Sequence, residues 1–290
     1  MKIKSTPGEK LFDLCNVIVM LLIVLITLYP FYFVIISSFS DGYDIILGNV
    51  LFYPVGFNLN GYRGLAELKN FVSGYGNTIF YAVIGTLTSL VVMTMGAYAL
   101  SRERFKYRTQ IGFFISFTLW FKAGIVPIYL NFQSLDLLDT RLGIVIGFAV
   151  NVFYIVVMRS FFEGIPNELE EAARVDGLSN FGIFFKIMLP LAKPMLATIG
   201  LYCVVDRWNA YFWSMLLVTS SSKMPLQVIL KALILDTRTS AAMSMGANQS
   251  SSQDTMIYSV IVVSILPMLI AYPFAQRFFE KGLTVGAVKG

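Results

Sequence analysis

Deep in its fifth long apolar stretch the chain carries Asp206-Arg207-Trp208-Asn209, followed by Tyr211 and Trp213. A carboxylate, a guanidinium, an amide and aromatic faces are the groups that stack on sugar rings and hydrogen-bond their hydroxyls. Asp206 and Arg207, as sequence neighbours, do not share a helix face, so each needs its own surroundings. A cation at bilayer depth costs about +2.5 to +3.5 kcal/mol on insertion scales. A water-filled cavity or a carboxylate from a second subunit are the two offsets expected for Arg207. Lys122 and Asn151, also inside apolar stretches, are further candidates for a path through the membrane. The competing reading of all these groups is polar glue between helices.

Other chemistry is excluded. The chain has no histidine, which removes the commonest general base and metal ligand. Cys15 and Cys203 both fall in apolar runs and show no metal-ligand spacing. No GxxxxGK[ST] loop is present to cradle a nucleotide phosphate. No catalytic residue, metal site or bound cofactor is therefore expected.

Those polar groups must be positioned by membrane helices. A composition 57% hydrophobic and 13% charged over 290 residues is too apolar for an ordinary soluble domain. A crossing needs about 20 apolar residues, and six stretches qualify: 14–38, 75–100, 111–130, 142–162, 195–218 and 255–277. The expected fold is all-α, with six transmembrane helices. Pro30 is expected to kink the first. Gly143 and Gly147 give the fourth a spacing that lets helices approach closely. Residues 41–74, 131–141 and 219–254 read as polar loops on one side. Fourteen of the 22 Lys/Arg lie in the N-terminus, 101–110, 159–193 and the tail with Arg277 just before it, against six in those three loops. The positive-inside rule puts the first group, with both termini, in the cytoplasm. The divisions are thus 1–13, cytoplasmic; 14–277, the six-span domain; and 278–290, a cytoplasmic tail.

Between the fourth and fifth stretches lies an acidic island, IPNELEEAARVDGLSNFGIFFKIMLPLAKP, over 165–194. Pro166 and Asn167 mark a helix start, with Glu170 placed to reach back to the cap. Gly177 is a stop that accepts left-handed angles, and Ser179 or Asn180 caps a second short helix ending before Pro190. Spacing alone is equally compatible with a solvated connecting loop. The residues Glu171-Ala172-Ala173, Asp176-Gly177, Ile187, Leu189-Pro190 and Pro194 resemble the EAA loop (163–194 here) of binding-protein-dependent ABC importer permeases. At the other end, Gly282-Leu283-Thr284, Gly286 and Val288-Lys289-Gly290 resemble the C-terminus of the maltose-type sugar permease subunit, within its oligosaccharide and polysaccharide branch.

The resemblance covers nearly the whole chain and implies a permease subunit in the bacterial cytoplasmic membrane. It implies that Glu171, Ala172, Ala173, Asp176 and Gly177 form the coupling helix that docks on an ATPase. It implies that Gly282, Thr284, Gly286 and Lys289 insert between two ATPase subunits, which hold ATP and Mg. The further partners implied are a second homologous permease, an external solute-binding protein and an oligo- or polysaccharide. Lys122, Asn151, Asp206, Arg207, Trp208, Asn209 and Tyr211 then become candidates for the sugar path. The rivals are an importer permease for a non-sugar solute and an ion-driven secondary transporter, whose marks are internal repeats and broken midplane helices.

Overall fold

A computed structural model of the chain describes residues 6–68, 70–243 and 251–287. Its helices, in chain order, are α1 (Pro7–Ser38), α2 (Gly42–Ile46), α3 (Asn60–Glu67), α4 (Phe71–Ser101), α5 (Arg108–Phe117), α6 (Ile125–Ser134), α7 (Arg141–Ile146) and α8 (Val152–Glu163). They continue with α9 (Asn167–Val175), α10 (Asn180–Ile183), a π-helical turn (Phe184–Met188), α11 (Leu189–Leu191), α12 (Lys193–Asn209), α13 (Phe212–Leu217), α14 (Leu226–Met243) and α15 (Ser251–Ala287). Among the described residues, three helices are long and apolar enough to cross a membrane: Pro7–Ser38, Phe71–Ser101 and the Thr255–Pro273 part of α15. The pair Asn180–Leu191 and Lys193–Asn209 makes a fourth if taken as one span bent by 78°.

The chain divides into two compact units, Met1–Leu68 with Leu230–Leu266, and Lys69–Ile229 with Pro267–Gly290. In the first unit, α1 starts with a capping box: the Thr6 amide donates to Glu9 (2.7 Å) and the Glu9 amide to the Thr6 hydroxyl (3.4 Å). Pro30 lies inside this helix. Its apolar side chains from Leu11 to Phe31 are exposed almost without interruption, as in a helix meant for an apolar surrounding on every side. Its C-terminal end is anchored by hydroxyls, with Ser259 Oγ donating to Ser38 O (3.3 Å) and Thr255 Oγ1 to Ser40 O (3.2 Å).

In the second unit α4 is the axis. Its Met93 and Ala97 are fully buried with Met158 and Phe162 of α8, Ile183 of α10, Met188 of the π turn and Ile199 of α12. Nearer its N-terminus, α4 turns a polar edge to the segment before α14. Asn77 donates to Ser222 O (2.8 Å) and Met224 O (3.1 Å), Tyr81 to Lys223 O (2.8 Å), and the Leu226 amide donates to Thr78 Oγ1 (2.7 Å).

Four expectations change. The stretches 111–130 and 142–162 are not continuous helices: the first is interrupted between Phe117 and Ile125, the second between Ile146 and Val152. Gly124 and Pro127 stop the first from being read through, because a proline ring clashes with the preceding turn. The second is interrupted at Gly147, against which Phe132 of α6 packs so closely that a Cβ there would meet its ring at 2.1 Å. The fifth stretch likewise stops at Asn209 and resumes at Phe212. Finally, 219–254 is not a loop throughout, since α14 occupies Leu226–Met243. Its LQVILKALIL half supplies helix formers in an apolar run.

Candidate functional site

Arg207 sits in the last turn of α12 and is only 9% exposed. Its Nη1 donates to Ile144 O (2.6 Å), and its Nη2 to Phe148 O (2.6 Å), Val145 O (3.2 Å) and Ser89 Oγ (3.2 Å). These carbonyls belong to the end of α7 and the segment just beyond it, where no further turn of helix receives them. A guanidinium at a helix C-terminus also meets the negative end of its dipole. The charge is thus offset by backbone carbonyls of the same chain, an arrangement neither expected option contained. Close approach demands a small residue on α4: a Cβ on Gly85 would lie 3.0 Å from the guanidinium carbon.

Asp206 points elsewhere. It is exposed and accepts a hydrogen bond from the Tyr154 hydroxyl (2.9 Å). The Tyr154 ring stacks with that of Tyr202 at 6.1 Å and 14°. Together they offer a carboxylate flanked by aromatic faces. A cavity of about 270 Å³ opens where the interruptions after α7 and α12 meet, lined by Ser89, Asn151, Tyr154, Asp206 and Arg207 among others.

Of the seven path candidates, this cavity gathers Asn151, Asp206 and Arg207. Asn151 caps α8, accepting from the Phe153 amide (3.0 Å). Trp208 is buried edge-on against Tyr75 at 5.9 Å, so its ring serves packing. Asn209 is exposed and bonds back to Val205 O (3.1 Å), and Tyr211 is exposed beside Phe212. Lys122 is exposed in the interruption between α5 and α6. None of these last four lines the cavity.

The acidic island folds as a helix, a Gly stop and a second helix. Pro166 occupies the cap position without a side-chain bond, so Glu170 is not part of a capping box. It is buried instead, with Arg102 at 3.0 Å, Arg104 at 3.2 Å and Arg174 at 2.5 Å. Arg102 also donates to Phe162 O. Glu170 thereby ties α9 to the end of α4, a role the local sequence did not disclose because Arg102 and Arg104 lie in a distant segment. Gly177 has φ +81°. Its amide donates to Arg174 O (2.9 Å) and the next, of Leu178, to Ala173 O (3.0 Å), the paired bonds of a Schellman stop. Ser179 caps α10, accepting from the Gly182 amide (3.2 Å). The second helix runs on past Met188 through a π-helical turn, and Pro190 is accommodated near the start of α11.

Of the coupling candidates, Ala173 faces the core. Glu171, Ala172, Asp176 and Gly177 are exposed, next to Val175 at 88% exposure. In the tail, Gly282, Thr284 and Gly286 fall within α15, whereas Lys289 lies outside the described residues.

Residues 9–285 match the family model described as binding-protein-dependent transport system inner membrane component. The chain is 36% identical over 284 residues to the polygalacturonan/rhamnogalacturonan transport system permease protein YtcP of Bacillus subtilis (strain 168), covering 97% of this chain and 99% of that one. It is 34% identical over 287 residues to protein LplC of the same organism, covering 99% and 97%. A solved bacterial ABC transporter involved in import of the acidic polysaccharide alginate contains a chain 41% identical, with a TM-score of 0.88 and coverage of 96% and 100%. The chain belongs to the binding-protein-dependent transport-system inner-membrane component family, the permease subunits of ABC importers.

Proposed function

We propose that this permease imports an oligo- or polysaccharide. The observation that carries this is full-length similarity, at 36% and 41% identity, to proteins named for polysaccharide transport. The carboxylate-and-tyrosine surface of Tyr154, Tyr202 and Asp206 supports it, since aromatic faces stack on sugar rings. The chain is not itself an enzyme; ATP and Mg bind to two partner ATPase subunits, and an external solute-binding protein delivers the sugar.

In this reading the chain crosses the membrane six times, through α1, α4, the pair α5–α6, the pair α7–α8, α12 with α13, and α15. Both termini and α9 are cytoplasmic, as the Lys/Arg distribution supports. A second permease covers part of the apolar surface of α1. The exposed face of α9, with Glu171, Ala172, Val175 and Asp176, docks on an ATPase, and the tail residues Gly282, Thr284, Gly286 and Lys289 contact the same pair of subunits. When ATP closes that pair, α9 moves. The Glu170–Arg102 tie passes the displacement to α4, against which α8 and α12 pack, and the cavity near Asp206 changes the side to which it opens. Each ligand acts only through its preference for one of the two states.

The test is uptake into vesicles holding the complete transporter, with binding protein outside and ATP inside. Labelled oligosaccharides, including uronate oligomers, are expected to accumulate. Accumulation of amino acids or inorganic anions with no carbohydrate uptake would replace this reading with a non-sugar importer.

A further inference from the structure

Where α4 ends, the sequence changes from apolar to SRERFKYR, and beside that junction lies a second cavity of about 470 Å³. Its size is in the range of small-molecule sites, about 300–1,000 Å³. Met95 and Ala99 of α4, Phe105, and Phe181 and Phe184 of the second island helix make its walls apolar. Its charged lining is Arg102 and Arg104, with no carboxylate among the lining residues.

The two guanidiniums are not equivalent. Arg102 is used up internally, on Glu170, Ser101 and Phe162 O, with its charge over the Tyr98 ring at 5.2 Å. Arg104 has a side chain 37% exposed and shares Glu170 with two other arginines. Three cations around one carboxylate leave positive charge unmatched there. The other acids nearby do not line this cavity: Glu103, paired with Arg108 (3.4 Å), and Glu171 line a separate small cleft that Arg102, Arg104 and Glu170 also border. At the mouth Phe181 is 68% exposed, as an aromatic is at a membrane interface.

An apolar slot with a partly exposed guanidinium at its rim, one of three that share a single carboxylate, placed at the end of a membrane-crossing helix, is complementary to one molecule present there in quantity. We infer that this cavity binds an anionic phospholipid, an acyl chain lying along Met95, Ala99 and Phe181 and the phosphate meeting Arg104. The inference rests on the cytoplasmic placement of 101–110 proposed above, where anionic headgroups meet basic residues. The lipid would sit between α4 and the island, and so would bear on the segment that couples the two.

The experiment uses the complete transporter, purified from nanodiscs containing equal phosphatidylglycerol and phosphatidylcholine, with lipid retained through detergent washing counted by mass spectrometry. Wild type is expected to keep phosphatidylglycerol preferentially. Arg104→Gln should weaken retention about fivefold, the factor one basic residue near an anionic surface contributes. Ala99→Trp, which fills the slot and leaves both arginines, should abolish it, and Arg108→Gln should change nothing. Equal retention of both lipids, or unchanged retention in Arg104→Gln and Ala99→Trp, overturns the inference. So does loss of co-purifying ATPase in those variants with lipid retention intact, which would assign the slot to a protein partner. Labelling of Arg108→Cys only from outside the cell would overturn the proposed sidedness separately.

Discussion

Arg102 Nη1 and Glu170 Oε2 stand 3.0 Å apart, both side chains less than a tenth exposed, although 68 residues separate them in the chain. Removing one partner of a buried pair is far more damaging than the pair is stabilising, because the remaining charge is stranded. Glu170→Gln is expected to destabilise the second unit by about 3 kcal/mol and to lower the thermal midpoint of the purified transporter. Arg174→Gln, at a half-exposed pair, should cost less than about 1 kcal/mol. Equal midpoints for the two variants would refute the tie.

Gly177→Val tests the island's stop. Nothing lies within 4 Å of a Cβ built there, so the penalty is conformational, about 1–2 kcal/mol for a left-handed residue. The chain should still assemble, while binding protein no longer stimulates ATP hydrolysis. Gly177→Asn, whose side chain tolerates these angles, should keep most of the coupling. Identical behaviour of the two variants would show that φ at this position is not what matters.

Arg207→Gln should unsettle the chain on its own. Each carbonyl of Ile144, Val145 and Phe148 left unpaired costs about 1–3 kcal/mol. Monodisperse yield of this subunit, expressed without any partner, is expected to fall sharply. Asp206→Asn should leave that yield unchanged and alter sugar uptake. Normal yield for Arg207→Gln would mean that water replaces the guanidinium and the cage is dispensable.

Asp139 gives a pH signature. The Ser220 hydroxyl, then the Ser220 amide, the Lys223 ammonium and the Thr219 amide all donate to its carboxylate, holding its pKa well below the ordinary carboxylate value. A carboxyl with a depressed folded pKa contributes stability that is present above its unfolded pKa, about 3.9, and is lost as pH falls toward the folded value. Protection factors over 217–224, the exchange rates taken relative to the intrinsic rate at each pH, should therefore be high at neutral pH and fall below about pH 4. In Asp139→Asn they should be low throughout. Wild-type protection factors that do not change on acidification would exclude the carboxylate as the clasp.

How much of this was legible depended on the range of the interaction. Ser179 and Gly177 act on amides within a few residues, so their roles could be read from the residues themselves. The interruption at 147–151 could not be read, because GFAV continues an apolar run and its freed carbonyls are received by an arginine some 60 residues away. Glu170 fitted a capping pattern locally, yet a buried contact with Arg102 outweighed it. The helix over Leu226–Met243 was obscured by the Ser- and Thr-rich residues that follow its apolar half. Trp208, grouped with its neighbours as a path residue, lies instead on the buried side of α12.

The cage around Arg207 also constrains how the family can drift. Gly85 and Ser89 on α4 both stand against the guanidinium, so neither position is free to change alone. Relatives with a larger residue at the position of Gly85 should carry a shorter one at that of Arg207. Those same relatives should replace the interruption after α7 with continuous helix, since nothing else would receive its carbonyls. An alignment of a few hundred relatives holds the record of that exchange: correlated change among positions 85, 89 and 207, with loss of Gly147 following the loss of the arginine.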